Sequence, residues 1–329
     1  MTTTEQTDFA NLNPDRVIDA VESLGYVSDL RVFALNSYEN RVYQFGLEDK
    51  EPVVVKFYRP ERWSDEQILE EHRFTQQLAD TDIAVIPPWQ NDAGNSLFHF
   101  EGYRFSIYPR RGGHAPALDD MDNLFQLGRL FGRLHLVGAS TKYQFRPKLD
   151  VVSFGDDSRR DILADVIPSS LRESYASLSE DLLRLVRQRF EDIAPTYIRT
   201  HGDGHVGNIL SRNDETWLVD FDDSRMAPAI QDVWMFLSGE QDNQQRAIME
   251  LIEGYQEFYE FNPRELGLIE ALRSLRIMHH AAWLARRWQD PAFPKAFPWF
   301  NTERYWGEHI LQLREQLALI QEPTLRMPY

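Results

Sequence analysis

Cysteine is absent from all 329 residues, so neither disulfides nor thiolate metal sites can hold this protein together. Long apolar runs are missing as well: no stretch approaches the roughly 18 to 20 apolar residues that span a bilayer. The opening MTTTEQTDFANLNPD lacks the basic and apolar regions of a secretory signal. Positive charge is in short supply, with 35 Lys and Arg against 52 Asp and Glu and a formal charge of −17. That balance disfavours non-specific binding to nucleic acid or anionic membrane. Neither internal repeats nor low-complexity tracts are visible. We therefore expect a cytoplasmic monomer with no nucleic-acid and no membrane partner. What is present, 42% hydrophobic and 26% charged residues, is ordinary for a globular chain and excludes disorder of its body.

Local patterning divides the chain in two. A first helix is punctuated by Asn13, Pro14 and Gly25, with Val17, Ile18, Val21 and Leu24 on one face. RVYQFGL and PVVVKFY read as strands, Ser64 to Ala79 as a helix, and SLFHF and YRFSIYP as strands about the Glu101-Gly102 turn. The order β-β-α-β-β describes a small sheet with one helix packed on it. Beyond Arg110–Pro116 helices dominate, at Asp119–Gly138, 169–190, 229–239, 244–260, 265–289 and 302–320. The expected fold class is α+β with two lobes. Residues 1–110, including the leading helix 14–25, form a small mixed lobe, and 111–329 a larger helical lobe. A cleft between them would take the nucleotide.

The informative stretch is His201-Gly202-Asp203-Gly204-His205-Val206-Gly207-Asn208, followed by Leu218-Val219-Asp220-Phe221-Asp222-Asp223. In protein kinases a catalytic-loop Asp receives the substrate hydroxyl, an Asn five residues on binds Mg²⁺, and an Asp beyond a short hairpin bridges Mg²⁺ to the phosphates. Asp203 and Asn208 have that spacing, and Asp220 follows after room for a hairpin of Ile209–Leu210 with Trp217–Val219. Mg²⁺ is hard and takes oxygen ligands, usually one or two from protein and the rest from phosphate and water. Zinc held by His201 and His205 would need a third ligand motif, which is absent. His201 instead reads as orienting the loop, and His205 as a substrate-side or supporting group. Asp222 reads equally well as an auxiliary metal ligand or as a solvated turn carboxylate. Asp232 is expected to cap or brace the catalytic loop, and His135 to belong to the core.

Lys56, ending the buried run Val53-Val54-Val55, is the candidate phosphate-binding lysine. On the next helix Glu71 shares a face with Gln67, Phe74 and Leu78 and is preferred over Glu70 as its partner. Adenine is expected near Ile107 and Tyr108. Arg286 and Arg287 are candidates for recognising an anionic acceptor, while the Trp- and Pro-rich segment 283–299 reads mainly as packing.

The H-G-D-x-H-x-x-N loop before D-F-D resembles the aminoglycoside-phosphotransferase and choline-kinase-like branch of the kinase fold. More closely, NSYENRVYQ (36–44), VVKFYRPERW (54–63), the catalytic loop and WQDPAFPKAFPW (288–299) are similar to the bacterial stress response kinase A family. The resemblance implies a cytoplasmic, ATP- and Mg²⁺-dependent kinase of Ser/Thr in proteins. It also implies that Ser37 contacts ATP where ordinary protein kinases use a Gly-rich loop. From Asp222 to Pro228 there is no room for a long activation loop, so regulation by ordering one is not expected. Two rivals remain open at this stage: a kinase of small alcohols, for which the acidic charge suits a cationic acceptor, and a nucleotide-dependent binding protein.

Overall fold

A computed structural model describes residues 9, 11–213 and 215–327; residues 1–8 and 10, on which the reading of the N-terminus partly rests, lie outside it. The first part of the chain forms α1 (Pro14–Glu22), β1 (Ser28–Ala34), β2 (Arg41–Leu47), β3 (Val53–Tyr58), α2 (Asp65–Asp80), β4 (Phe98–Phe100) and β5 (Tyr103–Pro109). Then come α3 (Met121–Gly138), α4 (Asp157–Asp165), α5 (Ser169–Ile193), β6 (Ile198–Thr200), β7 (Ile209–Arg212), β8 (Glu215–Leu218) and β9 (Arg225–Ala227). The chain closes with α6 (Gln241–Gln256), α7 (Ile269–Arg286), α8 (Ala292–Ala296) and α9 (Glu303–Leu319). None of the described helices is long and apolar enough to cross a membrane.

Two compact units result. The first comprises Met1–Pro116, Tyr143–Arg146 and Val206–Ser224, and the second the remainder. In the first, an antiparallel sheet of order β1-β2-β3-β5-β4 buries Phe45, Val55, Phe57, Phe105 and Ile107 on one face in a core shared with Val17, Ala20 and Val21 of α1. Period-2 alternation sends Lys56 and Tyr58 to the other face, where the Tyr58 hydroxyl meets His72 of α2 at 2.7 Å. Helix α2 starts in a reciprocal capping box: Ser64 N–H donates to Gln67 Oε1 at 2.8 Å and Gln67 N–H to Ser64 Oγ at 3.3 Å. The β7–β8 hairpin is stitched to this unit by Leu218 N–H to Ala84 O at 2.9 Å and Ser211 N–H to His114 O at 2.8 Å.

In the second unit α3 and α6 pack backbone to backbone. A Cβ on Gly128 would lie 2.0 Å from Leu251 O, and one on Gly254 would lie 2.1 Å from Phe125 O. A short antiparallel pair, β6 with β9, joins Thr200 to Arg225.

The structure departs from the sequence reading in several places, beginning with α4 and α8, for which the sequence reading gave no helix. The sheet has five strands, because Ser28–Ala34 adds an edge strand; its bulge between Ser28 and Val32 and exposed Leu30 and Phe33 blur the period-2 signal. Residues 229–239 form two 3₁₀ turns, Ala229–Asp232 and Trp234–Phe236, rather than one α-helix. Gln231 and Asp232 both serve the loop at Gly202, and neighbours on an α-helix point about 100° apart, so a continuous helix would turn one of them away. The helix expected from 265 begins as a 3₁₀ turn, Pro263–Leu268, before α7.

Candidate active site

Asp203 follows β6 in the second unit, and the main chain before it is held by one buried carboxylate. Asp232 accepts the His201 N–H at Oδ2 (2.6 Å) and the Gly202 N–H at Oδ1 (2.8 Å). His135 Nε2 lies 3.0 Å from the same Oδ2, and its Nδ1 lies 2.8 Å from the Tyr255 hydroxyl. His201, His135 and Asp232 are all fully buried. Asp232 thus braces the loop, His135 belongs to the core, and His201 Nδ1 receives the Asp203 N–H at 3.3 Å. The loop lies so close to its brace that a Cβ on Gly204 would stand 2.7 Å from Asp232 O. The Asp203 carboxylate projects between two basic side chains, Arg276 Nη1 at 2.5 Å from Oδ1 and His205 Nε2 at 3.2 Å from Oδ2. Burial alone would raise its pKa; the hydrogen bond from His205 and the charge of Arg276 outweigh that and hold it well below the usual carboxylate range.

Asn208 and Asp220 belong to the first unit, at the open end of the β7–β8 hairpin. Ile209 pairs with Leu218, and Val219 N–H donates to Asn208 O at 2.9 Å, which sets Asn208 across from the residue preceding Asp220. Asp220 has left-handed backbone geometry (φ 62°, ψ 68°) and a side chain 56% exposed. Lys56 Nζ lies 3.0 Å from Asp220 Oδ1 and 3.1 Å from Asp222 Oδ1. Burial would lower the lysine's pKa, but these two carboxylates raise it well above the ordinary value, so Lys56 stays charged.

Asp222 is not a solvated turn residue. It is 4% exposed, and its second oxygen takes Arg62 Nη1 at 2.5 Å. Against the burial penalty, Arg62 and Lys56 hold its pKa down to about 2. No Lys56–Glu71 ion pair forms among the described residues. Glu71 is 2% exposed, its Oε2 makes no hydrogen bond, and burial lifts its pKa to about 7 despite the charges of Lys56 and Arg146. Glu70 has a different task, accepting the backbone N–H groups of Gln144, Phe145 and Arg146. Arg146 in turn donates to the Asp222 carbonyl at 2.7 Å and the Ser224 carbonyl at 2.9 Å, with its guanidinium over the Trp63 ring.

The turn holding Ser37, between β1 and β2, is fixed by arginine rather than shaped by glycine. Arg59 Nε donates to Glu39 O at 2.7 Å and Nη2 to Tyr38 O at 3.1 Å, while Arg59 N–H reaches Asn40 Oδ1 at 3.1 Å. Arg59 and Arg62 also face the Glu39 carboxylate at 3.2 and 3.8 Å. The YRPERW stretch therefore connects the Ser37 turn to Asp222. Ile107 packs its side chain into the α1 core and gives its carbonyl to Trp89 N–H at 2.7 Å. Tyr108 faces the opposite side of the sheet, its hydroxyl 2.8 Å from that of Tyr58.

Arg62, Arg146 and Arg276 were missed in the sequence. Arg62 sits inside a stretch that carried the resemblance, but a lone Arg146 before Pro147 and an Arg276 on a long helix give no local signal. Arg286 proves to be occupied by Asp161 at 2.6 Å.

Asn208 and Asp220 offer an amide and a carboxylate oxygen, which suits a hard divalent ion completed by phosphate and water. Among the described residues no three His, Cys, Asp or Glu side chains cluster as a metal cage, so an ion held wholly by protein carboxylates and imidazoles is not built here.

Comparison with known proteins agrees with this geometry. The model of the phosphotransferase enzyme family matches residues 30–269. Stress response kinase A of Escherichia coli (strain K12) is 42% identical over 321 residues, 97% of each chain. The serine/threonine protein kinase RdoA of Salmonella typhimurium is 41% identical over the same share. Among solved structures, the amicoumacin kinase hAmiN in complex with AMP-PNP, Ca²⁺ and Ami superposes with a TM-score of 0.71 at 19% identity, covering 95% of both chains. A microcompartment-associated aminopropanol kinase gives 0.70 at 17% identity, covering 93% of this chain and 96% of that one. The chain belongs to the phosphotransferase enzyme family, alongside the stress response kinase A proteins, and is a phosphotransferase with the kinase-like α+β fold.

Proposed function

We propose that the protein transfers the γ-phosphoryl of ATP, with Mg²⁺, to a Ser or Thr hydroxyl of a protein. The observation that carries this reading is the hairpin end, where Asn208 and Asp220 stand side by side with the buried, charged Lys56 on Asp220. Such transfer needs little covalent help from the enzyme; positioning and charge neutralisation do most of it. Lys56 would hold the phosphates and Ser37 would close over them from its arginine-braced turn. Tyr108 lies on the Lys56 side of the sheet, where adenine would rest, and Ile107 would contribute only main chain. Asn208 and Asp220 would hold Mg²⁺, which when bound neutralises phosphate charge as the bond to the γ-phosphorus breaks. Asp203 would receive the acceptor hydroxyl. Its low pKa makes it a stronger aid to orientation than to early proton removal, in keeping with a loose transition state. Glu71, buried with an unsatisfied oxygen, would be an alternative partner for Lys56 if Asp220 were taken up by the metal. A monomer is expected, and autophosphorylation is compatible with this chemistry.

A second reading, a kinase of small alcohols, is favoured by the fold neighbours, which include an amicoumacin kinase and an aminopropanol kinase. Transfer of label from γ-labelled ATP tests both, using protein acceptors and a panel of amino alcohols, with and without Mg²⁺. Mg²⁺-dependent label on protein Ser/Thr supports the first reading. Label only on an alcohol selects the second.

A further inference from the structure

A cavity of about 410 Å³ in the second unit opens between α7, the Trp299 segment and α9. It is lined by Arg276 and His280, one turn apart on α7, and by Trp299, Tyr305, Glu308 and His309. Arg276 ties this space to the chemistry, because its Nη1 is on Asp203 Oδ1. A group that reached Arg276 from this cavity would contact a side chain bonded to the residue assigned to the acceptor hydroxyl.

The lining holds one acidic and one permanently basic side chain. Glu308 is the acidic member, and it is already paired with Arg304 at 2.8 Å. His309 is 2% exposed with Nε2 unpartnered, and its ring stacks on Tyr175 and Tyr305. Burial pushes His309 down to about 4, and burial together with Arg276 lowers His280, so both are neutral at neutral pH. Arg276 is the charged basic member of the lining, and its own ion pair is with Asp203. Its side chain is 43% exposed, and a guanidinium has five N–H donors, of which the bond to Asp203 uses one. A cationic acceptor would meet Arg276 at close range. A carboxylate would find the remaining fork of the guanidinium, a geometry suited to bidentate pairing. The Trp299 and Tyr305 rings, which in another setting would cage an ammonium, here share their space with that cation.

We infer that Arg276 is a specificity-determining residue that selects Ser/Thr acceptors with an acidic neighbouring residue and turns away amino alcohols and basic peptides. This rests on the reading of Asp203 as the acceptor-side residue. The acidic net charge of the whole chain suggests the reverse preference, but the guanidinium of Arg276 is the charged donor that a group entering this cavity would meet.

The test uses the full chain with γ-labelled ATP, Mg²⁺ and peptides that share one Ser but flank it with Asp/Glu, Ala, or Lys/Arg; ethanolamine and choline are run in parallel. The expected kcat/KM is about tenfold higher with acidic than with alanine flanks, and lower again with basic flanks. R276Q should flatten the ranking, R276E should invert it, and R276K should keep its order. A change in mere packing would lower all peptides together. Raising ionic strength should raise KM for the acidic peptides most. The inference is overturned if R276Q ranks the peptides as the native chain does, or if the native chain prefers basic peptides or the amino alcohols. Efficient transfer without any flank preference sinks this inference alone; failure to label any acceptor sinks the phosphotransfer reading and this inference with it.

Discussion

The two loops that present the functional carboxylates are fixed by opposite chemistry. In the second unit the loop before Asp203 is pinned by an anion, Asp232, which accepts two backbone N–H groups. In the first, the loop after Asp220 is pinned by a cation, Arg146, which donates to two backbone carbonyls. Each anchor is buried, and each spends its charge on main chain that regular secondary structure leaves unpaired. The second difference lies in the side chains displayed. Asp220 is left half open to solvent, whereas its neighbour Asp222, two residues on, is enclosed by Lys56 and Arg62. The carboxylates proposed for the reaction, Asp203 and Asp220, are thus more accessible than Asp222, and buried charges hold the loops that carry them.

Breaking the anchors should reveal this division. Arg146→Met strands two carbonyls and removes a cation near buried Glu71, so a loss of about 3–5 kcal/mol is expected in urea unfolding. Asp222→Asn leaves Lys56 and Arg62 facing a neutral group and should cost about 3 kcal/mol. Asp220→Asn, at an exposed side chain, should shift stability by roughly 0.5 kcal/mol or less while abolishing transfer. Equal destabilisation by the two substitutions would erase the contrast between them. Asp232→Asn keeps the size of the anchor but can accept only one of the two amide protons, for a loss of about 2 kcal/mol. Transfer should fall with it while nucleotide affinity holds, as read by titration with ATP.

A further effect is expected of pH. His309 titrates at about 4 when folded, against about 6.5 for an unperturbed histidine. Between those values the unfolded chain binds a proton that the folded chain refuses, so the contribution is complete above pH 6.5 and is lost as pH falls towards 4. At pH 5.5 the loss is about 1.4 kcal/mol. His309→Gln should flatten the urea midpoint against pH over that window; an unchanged slope would place the effect elsewhere. His72 in the first unit, lowered to about 3 by burial and then by Lys56, adds a loss of the same sign.

The candidate site was legible in the sequence where its parts are close in the chain. Asp203, Asn208 and Asp220 are spaced along one continuous stretch, whereas the Lys56 pairing expected of Glu71 is taken by Asp220 and Asp222. The supporting charges were not legible for the same reason in reverse. Arg276 reaches Asp203 across 73 residues, and Arg62 reaches Asp222 across 160, with no local pattern to mark either. The 3₁₀ turns at 229–236 were hidden because an apolar run punctuated by Asp232 fits a helix until the loop that needs its carboxylate is known. Edge strand β1 was lost to its bulge and to Leu30, whose φ is +67°.

The most direct measurement separates binding from transfer in Asp203→Ala and Asp220→Ala. Titration with ATP and Mg²⁺ gives nucleotide affinity, and γ-label transfer gives turnover. Asp203→Ala should bind nucleotide as the native chain does and lose transfer by about a thousandfold, within the usual range for an acid–base group. Asp220→Ala should lose transfer and the Mg²⁺-dependent part of binding together. Native transfer by Asp203→Ala, or Mg²⁺-dependent binding retained in Asp220→Ala, would contradict the assignment of the acceptor to the one residue and the metal to the other.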